Sequence, residues 1–177
     1  MNHSPLVSIV IPAFNPEFFQ NALMSALNQD YPHLEVVVCD DSQGEDIQRI
    51  VDEVSGQTAK RIRYVRNAQT LGFSRNLLVC LAQARGELVK FLCDDDLLFN
   101  DCVSLQAAAM TARADVSMTI CQRMLCAADD SLLPSRMLNM VMCPDDAVVK
   151  GTDLLEALEH ATPTASSRPA VLSCCIQ

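Results

Sequence analysis

Residues 6–15, Leu6-Val7-Ser8-Ile9-Val10-Ile11-Pro12-Ala13-Phe14-Asn15, begin with a β-branched apolar run and stop at a proline and a polar turn. A strand covered on both faces reads this way, whereas a half-exposed strand alternates apolar and polar residues. The pattern returns at residues 34–39 (Leu-Glu-Val-Val-Val-Cys), which close on Asp40-Asp41-Ser42. It returns again at residues 88–92 (Leu-Val-Lys-Phe-Leu), which run into Cys93-Asp94-Asp95-Asp96. A shorter run, residues 62–65, is the remaining strand of this type.

Between these runs the spacing changes to a helical one. Phe18, Phe19, Ala22, Leu23, Ala26 and Leu27 lie on one face of a helix predicted over residues 17–29, which Tyr31-Pro32 ends. Residues 46–54, 73–84 and 101–112 carry the same periodicity. Strands separated by helices of about ten residues predict right-handed crossovers on a mostly parallel sheet, with helices on both faces. The fold class is therefore α/β, Rossmann-like in its layering. Beyond residue 112 a strand is predicted at residues 116–121 and a helix at residues 152–160. Met137, Met140 and Met142 are candidates for core packing or a partner-facing surface.

In sheets of this kind ligands bind outside the carboxyl ends of the strands, where the strand order reverses. The polar punctuation falls at those ends: Asn15 after the first run, Asp40 and Asp41 after the second, Asp94 to Asp96 after the last. Three adjacent carboxylates repel one another, and their hard oxygen donors attract Mg²⁺ or Mn²⁺. The five glycines, Gly44, Gly56, Gly72, Gly86 and Gly151, form neither G-x-G-x-x-G nor G-x-x-x-x-G-K-[ST]. If a nucleotide binds here, something other than a glycine-rich turn must offset its phosphate charge, and a metal held by the aspartates would do so.

Composition narrows the possibilities further. The chain has 177 residues, half of them apolar, which suits one ordinary core and a single domain spanning residues 1–177. A net charge of −9 disfavours nucleic acid as a partner, because phosphate contacts need a Lys/Arg surface. No apolar run approaches the roughly 20 residues that cross a bilayer. The expected location is the cytoplasm, with peripheral attachment to a membrane compatible with the pattern. The nine cysteines form no C-x-x-C pair, so zinc is not expected; Cys39 and Cys80 read as small hydrophobes.

Four segments occur in a telling order. They are residues 7–15, residues 36–42, the helix start Gly72-Phe73-Ser74-Arg75-Asn76, and residues 84–96, from Ala84-Arg85-Gly86-Glu87 to Asp94-Asp95-Asp96. Together they resemble the family-2 glycosyltransferases of GT-A fold over about residues 6–112. The resemblance implies a sugar moved from a nucleoside-diphosphate donor, UDP-linked in the first instance, to a hydroxyl acceptor on a glycan, lipid or protein, with inversion. It implies that Pro12, Ala13 and Phe14 pack on the base while Asn15 shapes the turn. Asp41 would read the uracil edge, and Asp40 would brace the loop. Arg75 would pair with the diphosphate, Asp94 would face the ribose, and Asp95 and Asp96 would hold Mg²⁺ or Mn²⁺.

The chain departs from the family pattern in two places. Cys93 stands where many members carry an aspartate, and a thiol is a poor ligand for Mg²⁺. The second departure concerns the general base that takes the acceptor's proton, which in the family lies well downstream. Residues 161–177 contain no acidic residue, and the carboxylates left as candidates are Asp129, Asp130, Asp145 and Asp146. The expectation is a C-terminally incomplete GT-A domain, residues 6–112 forming the donor part and residues 113–177 a partial acceptor part. A nucleotide-sugar-binding module without catalysis is the alternative. A nucleotidyltransferase ranks third, because Pro12-Ala13-Phe14-Asn15 lacks the Gly-rich, basic loop of that class.

Overall fold

A computed structural model describes residues 4–59 and 61–121. The strands are β1 (Val7–Ala13), β2 (Leu34–Asp40), β3 (Arg61–Arg66) and β4 (Leu88–Phe91), and the helices are α1 (Pro16–Leu27), α2 (Asp46–Ser55), α3 (Phe73–Gln83) and α4 (Cys102–Ala112). All the pairings are parallel, in the order β3-β2-β1-β4. The α/β expectation is met, and the strand order reverses at β1, between β1 and β4.

The two faces follow from crossover handedness. Chain order runs from β1 outward to β3 and then returns past β1 to β4, so right-handed connections put α1 and α2 on one face and α3 on the other. The cores agree. Val7, Ile9, Ile11 and Ala13 of β1 and Leu34, Val36 and Val38 of β2 pack with α1, α2 and α4. Val10, Val37 and Cys39 point the opposite way and meet Cys80 of α3. Cys39 and Cys80 are thus core residues, and the Cys80 thiol, hydrogen-bonded to Cys39 and buried, is held protonated. Lys90, the one charged side chain of β4, is fully buried and donates to Oε1 of Gln106 on α4 at 2.9 Å.

Two local expectations are corrected. Pro12 does not end the first strand: it lies inside β1, opposite Cys39. Ala13 O accepts from Asp41 N on the β2 side, while Val10 O accepts from Leu92 N on the β4 side. Alternation along a strand therefore turns the Pro12 nitrogen toward β4, where the ladder has already ended, and its missing N–H costs no pairing. Residues 116–121 carry no strand. A β-favouring composition becomes a strand only with a partner to complete its ladder, and no such pairing forms there among the described residues.

Two glycines matter to this frame. Gly72, preceding α3, has φ +82, in the region that a side chain disfavours. At Gly86 the backbone enters β4 so tightly that a Cβ would lie 2.6 Å from Ser8 N. The helix expected at residues 152–160, the methionines 137, 140 and 142, and Asp129, Asp130, Asp145 and Asp146 lie outside the described residues.

Candidate functional site

The switch point between β1 and β4 is closed by Asp94. The Phe14 and Asn15 amides, 80 and 79 residues earlier in the chain, both donate to its Oδ2, at 2.7 and 2.8 Å. One carboxylate therefore ties the loop after β4 to the loop after β1. Asn15 in turn caps α1, its Oδ1 accepting from Glu17 N at 3.1 Å. Pro12 and Ala13 are buried, so Phe14, 58 % exposed, is the apolar side chain of this loop that faces solvent. Phe14 lines a shallow recess of about 240 Å³ with Pro16, Ser42, Gln43, Gly44 and Asp46. Arg66 Nη2 donates to the carbonyls of Gln43 and Gly44 at 3.2 and 2.6 Å and so holds the wall of this recess.

Next along the chain, the carboxylates of Asp95 and Asp96 and the Cys93 thiol bring their ligand atoms within 4.8 Å of one another. Burial, followed by the negative charges of Asp96, Asp95 and Asp94, pushes the Cys93 thiol up to about 12 from an ordinary 9.0. It therefore stays a neutral thiol at physiological pH. The donor set fits a hard divalent cation through its two exposed carboxylates, which leave room for the water that Mg²⁺ and Mn²⁺ retain.

The loop after β2 behaves differently from that after β4. Asp40 is fully buried; its Oδ1 accepts from Ser42 N at 2.9 Å and its Oδ2 from Tyr64 Oη at 2.6 Å. Asp41 is only 2 % exposed. Its Oδ1 accepts from Asn67 Nδ2 at 2.7 Å and Leu71 N at 2.8 Å, and its Oδ2 from Gly72 N at 2.8 Å. Asn67 also bridges to Asn76 Oδ1 at 2.8 Å, and Asn76 Nδ2 reaches Cys39 O at 2.8 Å. Asn67, Thr70 and Tyr64 were not singled out from the sequence, since nothing in their spacing distinguishes a loop-tying polar residue from a solvated one.

The first turn of α3 stands on the other flank of β4. Phe73, 59 % exposed, packs edge-to-face on Phe91 with ring centroids 6.0 Å apart, two residues before Cys93. Arg75, in the same turn, is exposed and has no ion-pair partner among the described residues.

Comparison with known proteins agrees with this geometry. The sequence profile of Glycosyl transferase family 2 matches residues 8–161. The GalNAc(5)-diNAcBac-PP-undecaprenol beta-1,3-glucosyltransferase of Campylobacter jejuni is 35 % identical over 102 residues, 56 % of this chain and 33 % of that protein. Chondroitin synthase of Escherichia coli is 38 % identical over 103 residues, 57 % of this chain and 15 % of that protein. Among solved structures, the mannosyltransferase PcManGT of Pyrobaculum calidifontis, in complex with GDP-Man and Mn²⁺, superimposes with a TM-score of 0.63 at 23 % identity, covering 69 % of this chain and 37 % of that one. S. aureus TarS in complex with UDP gives a TM-score of 0.60 at 24 % identity over 76 % of this chain and 40 % of that one. The first of these relatives is about three times as long as the stretch it shares with this chain.

Proposed function

The chain belongs to glycosyl transferase family 2, and from that premise we propose that its crevice binds a nucleoside-diphosphate sugar, a UDP-sugar first, and passes the sugar to a hydroxyl acceptor with inversion. One observation carries this reading: Asp94 joins the loops after β1 and β4 at the switch point, beside two carboxylates close enough to share a cation.

In this arrangement the base lies in the recess against Phe14, whose exposed ring offers a stacking face. Asp94 keeps Oδ1 for the ribose while Oδ2 holds the loop. The Arg75 guanidinium pairs with two diphosphate oxygens, as its planar fork allows. Asp95 and Asp96 hold Mg²⁺ or Mn²⁺, which when bound offsets the charge that collects on the departing diphosphate. The acceptor oxygen forms its bond to the anomeric carbon as the bond to the diphosphate oxygen breaks, and the acceptor's proton passes to a general base. Asp40 and Asp41 serve the architecture of the site in this reading.

Calorimetric titration of UDP, GDP and TDP, with and without Mn²⁺, tests the proposal. UDP is expected to bind in the presence of Mn²⁺ and to lose the metal-dependent part of its affinity in Asp95→Ala. The proposal fails if none of the three nucleotides binds when Mn²⁺ is present.

A further inference from the structure

Residues 61–93 hold six basic side chains, Arg61, Arg63, Arg66, Arg75, Arg85 and Lys90, against one acid, Glu87, in a chain whose net charge is −9. The fold sorts them further. Arg66 turns its guanidinium to the Gln43 and Gly44 carbonyls, and Lys90 is buried beside Gln106. Arg61 and Arg63 are registered opposite Glu35 and Val37, and Val37 belongs to the core under α3, so both arginines stand on the α3 side of the sheet. Arg85 arrives at the same place from the end of α3, where its amide donates to Glu35 Oε1 at 2.8 Å. Arg61 and Arg85 are exposed, and neither joins an ion pair among the described residues.

The helix between Gly72 and Ala84 adds the apolar part. It contains no acidic residue, turns Asn76 and Cys80 inward, and leaves Leu78 64 % and Leu81 44 % exposed on one outer face. The exposed acids of the other helices, Glu17 of α1 and Asp46, Asp52 and Glu53 of α2, stand across the sheet. Leucines and arginines on one side with acids on the other fit an anionic lipid surface: the leucines enter the interface, the arginines meet headgroup phosphates, and the acids face away. A nucleic acid would engage the arginines and leave the leucines in water.

We propose that the outer face of α3, with Leu78, Leu81, Arg61 and Arg85, docks on an anionic lipid bilayer. Gly72, at the head of α3, is tied to Asp41 at the carboxyl end of β2, so the helix runs from the crevice edge of the sheet to its amino edge. A bilayer along this helix passes beside the crevice. The surface itself does not depend on what the crevice binds.

The chain contains no tryptophan, so Leu78→Trp places a single fluorescent reporter in the full 177-residue chain. It is titrated with vesicles of phosphatidylcholine alone and with vesicles in which about a third of the lipid is phosphatidylglycerol. With the anionic vesicles the emission is expected to shift to the blue and to be quenched by brominated lipid; with phosphatidylcholine alone it should do neither. Gln48→Trp, on α2, should respond to neither vesicle. Partitioning of the chain without tryptophan is measured by flotation. Each arginine near an anionic surface contributes about fivefold, so Arg61→Gln with Arg85→Gln should weaken partitioning by roughly 25-fold. Leu78→Ala with Leu81→Ala should weaken it by roughly tenfold. Arg49→Gln removes the same charge from the α2 side and should change it by less than about twofold. Should a paired variant fail to fold, the Leu78→Trp reporter decides.

No binding to either vesicle, equal binding to both, or equal losses in Arg49→Gln and the arginine pair would each overturn the proposal. So would Leu78→Trp emission that lipid leaves unchanged. If that emission is already blue without lipid, the face is covered by the chain itself or by a second copy, which sedimentation velocity tells apart, and the bilayer is excluded.

Discussion

Replacing Gly86 by alanine sets one methyl group against the backbone of the sheet. The new Cβ would lie 2.6 Å from Ser8 N and 2.7 Å from both Leu6 O and Leu88 O. Ordinary contact begins near 3.4 Å, so each of these atoms would have to retreat by roughly 0.7 Å. None belongs to a flexible side chain, so the movement must open the β1–β4 ladder at its amino end. Two bonds span this point: Leu88 N to Leu6 O at 3.2 Å and Gly86 N to Ser8 Oγ at 2.8 Å. Overpacking costs about 1–3 kcal/mol, and each weakened buried hydrogen bond adds about 1 kcal/mol, so a loss near 3 kcal/mol is expected. With a urea m-value of about 2 kcal/mol per molar, the unfolding midpoint should fall by about 1.5 M. Gly56→Ala is the matched control, since its nearest neighbour would be at 3.7 Å and its backbone is already right-handed helical. That variant should be neutral or slightly stabilising. If Gly86→Ala moves the midpoint no further than Gly56→Ala does, the tight entry into β4 is wrong.

Two further outcomes follow from the crevice. Asp94→Ala strips the Phe14 and Asn15 amides of their shared acceptor; the site is exposed, so the stability cost should stay below about 1 kcal/mol, while calorimetry should show nucleotide affinity falling by roughly tenfold or more. Equal urea midpoints together with unchanged affinity would remove Asp94 from the site. For pH, burial first and then the hydrogen bond to Asp40 raise the Tyr64 phenol above its ordinary 10.0. A raised folded value means that this contribution to stability is complete below pH 10 and is lost as pH climbs toward the folded value. Urea midpoints compared at pH 8 and pH 11 should therefore drop less in Tyr64→Phe than in the unaltered chain, and an equal drop would count against the Tyr64–Asp40 contact.

The elements themselves were legible because each depends on local pattern. The unbroken β-branched runs of β1 and β2 mark strands covered on both faces. The apolar spacing from Phe19 to Leu27 marks a helix face, found buried as expected. Where the reading went astray, at Pro12 and at residues 116–121, the deciding fact was the presence or absence of a neighbouring strand at one level of the sheet. No local pattern carries that.

The sequence by itself determined that acidic residues gather at the carboxyl edge of a parallel sheet, since strand ends and their punctuation are properties of a short window. Only the tertiary structure decided how the carboxylates divide the work. Asp40 pairs with Tyr64, Asp41 with Asn67, Leu71 and Gly72, and Asp94 with Phe14 and Asn15. Those partners lie 24 to 80 residues away along the chain. The crossovers bring them within hydrogen-bond reach, and a carboxylate is claimed by whichever donors the fold delivers to it. Asp95 and Asp96 are exposed and bring their carboxylates within 4.8 Å of the Cys93 thiol.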